Sequence, residues 1–123
     1  MLHELKIFQK MYDPIIYLYP MVNKFPKAEK FVLGQRIENT AINVLEGLII
    51  ANQELNKESA LKKTAVELEK MRIFIRLAKD LKFISIGQYE QVSMQINEIG
   101  KMLGGLMKKF IPASQSSLGQ RIS

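Results

Sequence analysis

Cysteine is missing altogether from this chain of 123 residues, and histidine occurs once, at His3. Without cysteine there is no disulfide and no thiolate metal site, a composition compatible with a reducing cytoplasm. A ferritin-like di-metal bundle needs two Glu-x-x-His motifs, so a single histidine excludes that class. It also leaves a serine nucleophile without a histidine partner in the body of the chain. No P-loop or dinucleotide fingerprint is present. Glu67 and Glu69 are near neighbours, but residues two apart point to opposite sides of a helix and cannot share a site. No catalytic residue, metal ligand, cofactor or small-molecule substrate is therefore expected. No uninterrupted apolar run approaches the ~20 residues of a membrane span. The first residues, MLHELKIFQK, place charges where a signal peptide needs its apolar core. The expectation is a cytoplasmic protein with no membrane association.

What is present is a hydrophobic content of 47%, enough for a core, and 18 basic against 12 acidic residues, a formal charge of +6. The apolar residues recur at alternating threes and fours, the spacing of one helix face. In the stretch from Lys24 to Asn52, Gly34, Ile37, Ala41, Val44, Leu48 and Ala51 keep this register, with Pro26 suited to a first helical position. Small Gly34 and Ala41 on that seam let a neighbouring helix come close, so this stretch reads as the central helix. Before it, Leu5, Phe8, Tyr12, Ile15, Tyr19 and Val22 form a first face, with Pro14 predicting a kink or a restart capped by Asp13. The third helix, about Ser59 to Phe83, carries a seam of Leu61, Leu68, Met71, Ile75 and Ala78 and a second apolar sector of Val66, Ile73, Phe74, Leu77 and Leu81. A helix apolar on both sides is buried on both sides, so Phe74, Leu77 and Leu81 are candidate oligomer-interface residues. Ser85 to Gly87 marks a turn. From Tyr89, the positions Val92, Ile96, Ile99, Leu103, Leu106 and Phe110 form the fourth seam, with Gly100 and Gly104 one turn apart and explained by a close neighbouring backbone. The fold class is all-α, an antiparallel up-down four-helix bundle over residues 1–111, followed by a polar, aperiodic tail over 112–123 expected to be disordered.

Surface chemistry is what remains. Arg72, Arg76 and Lys79 lie at i, i+4 and i+7, one cationic strip between the two apolar sectors of the third helix. Glu69 and Asp80 lie within reach on the same helix, so simple pairing along a solvated face competes with a binding role. Lys24, Lys27 and Lys30 form a second basic group at the start of the central helix. These six residues are the candidates for contacts to nucleic acid or a protein partner.

Several short matches occur together and in order: Phe25-Pro26-Lys27, Phe31 and Leu33-Gly34-Gln35-Arg36-Ile37, then Leu68-Glu69-Lys70-Met71-Arg72, Ile75-Arg76-Leu77-Ala78-Lys79-Asp80-Leu81 and Glu98-Ile99-Gly100-Lys101-Met102-Leu103-Gly104-Gly105. Across roughly Met11 to Phe110 the chain thereby resembles the accessory variability determinant proteins of diversity-generating retroelements. These are kin of the four-helix-bundle proteins encoded in intervening sequences of bacterial 23S ribosomal RNA genes. The resemblance implies a homopentameric barrel of basic four-helix protomers that associates with the reverse transcriptase and its template RNA. In that role the chain is a non-catalytic subunit supporting mutagenic complementary DNA synthesis. The alternative is an RNA-associated or structural bundle of the intervening-sequence type, with no polymerase partner.

Overall fold

Four apolar registers become four helices in the computed structural model, which describes residues 2–112, with side chains from Lys6 onward. Helix α1 spans Leu2–Asn23. Helix α2 begins as Lys27–Glu29, widens into a π-helical segment at Lys30–Gly34 and continues as Gln35–Gln53. Helices α3 and α4 span Glu58–Asp80 and Ile86–Phe110. Both α1 and α3 pack against α2 and α4, so the helices occupy the corners of a square with sequential neighbours side by side. This is the all-α four-helix bundle that the spacing predicts. The predicted tail, apart from Pro112, lies outside the described residues, as do the side chains of His3 and Leu5.

The predicted seams of α2, α3 and α4 are the core. Ile37, Ala41, Val44, Leu48 and Ala51 are buried, as are Leu61, Leu68, Met71, Ile75 and Ala78, and Val92, Ile96, Ile99 and Leu103. Two buried hydroxyls are satisfied within their own helices, Thr40 donating to the Ile37 carbonyl at 2.9 Å and Thr64 to the Ala60 carbonyl at 2.7 Å. Helix α1 differs from expectation. Its buried line is Ile7, Met11, Pro14, Leu18, Met21 and Val22, while Tyr12 and Tyr19 are exposed. Both lines have helical spacing. The wholly aliphatic one fills the core, and the tyrosines keep their hydroxyls in water. Nor does Pro14 restart the helix, which runs unbroken through Pro14 and Pro20. An interior proline costs a helix about 3 kcal/mol. Packing of Met11 and Leu18 on either side outweighs that loss.

Three connections carry their own determinants. Pro26 is the N-cap of α2 (φ −50°, ψ 140°) rather than its first helical residue. At the end of α2, Lys57 reaches back so that its ammonium donates to the carbonyls of Ala51 at 2.7 Å and Glu54 at 3.0 Å, neutralising the negative helix end. Helix α3 ends in a Schellman motif in which the Phe83 N–H donates to the Ala78 carbonyl and the Lys82 N–H to the Lys79 carbonyl, each at 2.9 Å. Lys82 has φ 65°, the one positive φ among the described residues. A side chain in that conformation costs roughly 1–2 kcal/mol relative to glycine. Helix α4 starts at Ile86, which places Gly87 inside the helix and not in the preceding turn. Ser85 caps it: its hydroxyl accepts from the Gln88 N–H at 3.0 Å while the Gln88 side chain accepts from the Ser85 N–H at 2.9 Å.

The glycines divide by what surrounds them. A Cβ on Gly34 would sit 2.7 Å from Val22 Cγ1, so α2 and α1 approach there as expected. A Cβ on Gly47 would overlap the Thr64 hydroxyl of α3. At Gly100 the neighbour is the Arg72 guanidinium rather than a backbone, and around Gly104 nothing lies within 4 Å, so close helix approach does not explain that glycine. Gly47→Ala is expected to lower the thermal midpoint, because Thr64 is buried and β-branched and the overlap, about 1–3 kcal/mol, exceeds the gain of about 1 kcal/mol in helix propensity. Gly104→Ala is expected to raise the midpoint. Thermal unfolding followed by circular dichroism compares the two, and a stabilised Gly47→Ala would contradict the packing described.

Candidate functional site

Arg72, Arg76 and Lys79 lie on the flank of α3 that faces α4. Arg72 Nη1 donates to Asn97 Oδ1 of α4, and its Nε stands 3.4 Å from Glu69. The missing side chain of Gly100 leaves space for that guanidinium, since a Cβ there would come within 3.2 Å of Nη2. Lys79 places its ammonium 4.4 Å above the Tyr89 ring centroid and 3.4 Å from Asp80. Arg76 is looser: its Nε is 4.0 Å from Asp80 and its side chain is 71% exposed. The strip therefore contains one well-anchored arginine and one weakly held one. Exposed pairs of this kind contribute only ~0.2–1 kcal/mol, so they leave the cations available to another ligand.

Beside the strip, Val66, Ile73, Leu77 and Leu81 stand on the outward side of α3, with Ile73 56% exposed. Phe74, grouped with them by sequence, is only partly exposed and packs against the core. It lines a groove with Arg36, Asn43, Glu67 and Lys70 on the α2 side. A second apolar surface was not predicted. Tyr12, Ile16 and Tyr19 on α1 are exposed, and so are Phe31 and Ile49 on α2, with Phe31 at 75%. Tyr19 and Phe31 share one groove with Glu38. The signal was there, since Tyr12, Ile16 and Tyr19 follow the same three-four alternation one residue out of step with the core line.

Lys24, Lys27 and Lys30 lie at a different place, around the connection from α1 to α2. Lys30 reaches Asn23 Oδ1 at 3.5 Å, and none of the three has a carboxylate partner among the described residues. The two basic groups predicted from sequence thus occupy separate surfaces, one along the α3–α4 flank and one at the end of the bundle.

Two carboxylates respond to these grooves in opposite ways. Glu67 accepts from Lys70 at 2.8 Å and from Asn43 at 2.7 Å, and these bonds, Lys70 foremost, hold its pKa below the ordinary value despite partial burial. Partial burial pushes the Glu38 pKa up. The stabilisation from ionised Glu67 is present above the ordinary glutamate value, about 4.3, and is lost as pH falls through its lowered one. Glu38 binds its proton more tightly when folded, a contribution present below that value and lost as pH rises through its raised one. Glu67→Gln is expected to lower the thermal midpoint at neutral pH and Glu38→Gln to raise it. Both differences should shrink in melts below about pH 4.

No described helix is long and apolar enough to cross a membrane. The sequence profile described as bAvd-like matches residues 5–110. A crystal structure of a protein of unknown function from the S23 ribosomal protein family of Bacteroides thetaiotaomicron has the same fold, with a TM-score of 0.78 at 17% identity, covering 86% of this chain and 98% of that one. At that identity the likeness establishes the fold alone. No curated protein sequence matches the chain.

Proposed function

From the premise that the chain belongs to the bAvd-like family, we propose that it is a non-catalytic accessory subunit of a diversity-generating retroelement, binding reverse transcriptase and template RNA to support mutagenic complementary DNA synthesis. The observation that carries this reading is the α3 surface, where the cations of Arg72, Arg76 and Lys79 run beside the exposed apolar line of Val66, Ile73, Leu77 and Leu81. Partner contacts fall to the cations and self-association to the apolar line, with Lys24, Lys27 and Lys30 as the second basic surface. Arginine suits the task because its planar fork meets phosphate or carboxylate through paired hydrogen bonds. A homo-oligomer concentrates the field, since each chain contributes a formal +6.

Two unlike apolar faces on one chain, the α3 line and the α1–α2 tyrosine face, suit head-to-tail association, which closes into a ring when the rotation permits. A ring of five is the form implied by the resemblance. The second reading, an RNA-associated or structural bundle without a polymerase, draws on the fold shared with the S23-family protein. A reverse transcriptase gene beside the coding sequence separates the two.

Light scattering at micromolar concentration is expected to give a multiple of the 14.1 kDa chain; a monomer would remove the assembly part of the proposal. RNA binding is expected to weaken steeply with salt, because lysine and arginine contacts to phosphate release counterions. The double variant Arg72→Gln/Arg76→Gln should remain helical and oligomeric while losing RNA or reverse transcriptase binding by tenfold or more, about 1.4 kcal/mol. Dissociation into monomers that bind as well as before would assign the arginines to structure.

A further inference from the structure

Lys82 is a lysine where the backbone favours glycine. It occupies the left-handed position that closes the Schellman motif of α3, at φ 65°. Its side chain is exposed and has no carboxylate partner among the described residues. Strain of this kind at a surface position directs attention to what the side chain does.

The surroundings supply a role. Phe83, the next residue, packs its ring on that of Phe25, with centroids 5.5 Å apart. This contact fixes the turn before α2 against the loop after α3 at one end of the bundle. Lys24 flanks Phe25 directly and Lys27 begins α2 just beyond Pro26, both exposed and without a carboxylate partner among the described residues. They stand at a helix N-terminus, where the dipole favours anions over cations. Of the acidic groups at this end, Asp80 is engaged by Arg76 and Lys79, Glu29 is partly buried, and Glu90 lines the groove beside Lys82 without pairing with it. Three lysines on two adjoining turns thus face outward with no ion pair among the described residues, Lys24 and Lys27 at the unfavourable end of a helix dipole and Lys82 in an unfavourable backbone conformation.

We infer that this end of the bundle, formed by Lys82 with Lys24 and Lys27, is a binding surface for the phosphodiester backbone of RNA, which presupposes the RNA binding proposed above. Lysine ammonium groups act as point charges on phosphate and read no base edges, so recognition here is indifferent to sequence. The Phe25–Phe83 contact makes the surface rigid, and the α3–α4 flank with Arg72 and Arg76 remains for the second partner.

Lys82→Gly separates this role from a structural one because its two effects run in opposite directions. With the full chain and a fluorescein-labelled single-stranded RNA of mixed sequence, the variant is expected to melt roughly 3–6 °C higher, relief of strain of the size one helix cap supplies. It should bind RNA several-fold more weakly at low salt, and the slope of log Kd against log salt should fall by about 0.7 for each phosphate that is no longer neutralised. Lys82→Gln keeps the strained backbone and removes the charge, so it should reproduce the weaker binding without the higher melting point. Lys24→Gln/Lys27→Gln added to either variant should flatten the slope further. If both Lys82 variants bind RNA with the parent's affinity and slope, this surface is not the phosphate site, and RNA binding elsewhere on the bundle stands. If the parent chain binds no RNA even at low salt, both this inference and the RNA part of the proposed function fall.

Discussion

Close contact between α2 and its two neighbours is the constraint on which the rest depends. Gly34 meets Val22 of the first helix, and Gly47 meets Thr64 of α3, each at a distance that leaves no room for a side chain. Rows of small residues bring helix axes together and let the aliphatic residues on either side interdigitate. Once α2 is held this way on both flanks, the orientation of α1 and α3 about their axes is fixed. Fixing α3 determines which residues point away from the core: Arg72 and Lys79 toward α4, Phe74 and Glu67 toward α2, and Ile73 and Leu77 outward. The surface chemistry of α3 is therefore a consequence of packing on its opposite side.

A bundle of this size cannot cover all of its apolar surface. Helices at four corners bury one line each, and any helix with a second apolar line must leave it exposed. Helix α3 does so with Val66, Ile73 and Leu77, and α1 with Tyr12, Ile16 and Tyr19. Scattered exposed apolar residues need no explanation, but two lines on diagonally opposite helices are a different matter. Core packing leaves them on different sides of the molecule, the arrangement a head-to-tail assembly uses.

The sequence made the fold legible wherever one apolar line stood alone against polar neighbours. The seam of α4 is visible from Val92 to Leu103 because Ser93, Gln95, Asn97, Glu98 and Lys101 fill most of the positions between. Helix α1 was not legible in the same way, since aliphatic and aromatic lines run side by side and periodicity alone cannot rank them. Burial ranked them by polarity: the tyrosines, each with a hydroxyl that needs water, stayed outside. The start of α4 was written plainly in Ser85 and Gln88, a serine followed three residues later by a glutamine. Gly87 nearby drew the turn two residues too far, because glycine more often punctuates a chain than occupies a helix. As for the basic groups, the spacing of Arg72, Arg76 and Lys79 put them on one strip, and the structure places them there. Their partners on α4, Asn97 and Tyr89, are about 25 and 10 residues away in sequence and no local pattern announces them.

Lys82 was illegible for a deeper reason. Nothing in Asp80-Leu81-Lys82-Phe83 distinguishes a left-handed lysine from a helical one, since backbone conformation there is decided by where α3 must stop. It stops because Phe83 is drawn out of helical register onto Phe25, a contact between residues far apart in the chain. Lys82 then takes the conformation that the two flanking hydrogen bonds demand, whatever its own preference. Natural sequences are for the most part locally consistent, and exceptions gather where a residue serves something besides the fold. Here the exceptions gather at one end: cations at the positive end of α2 and a side chain in a glycine position at the end of α3. The Phe25–Phe83 contact holds these violations next to one another, so a rigid apolar joint carries a surface that the helices on their own would not favour.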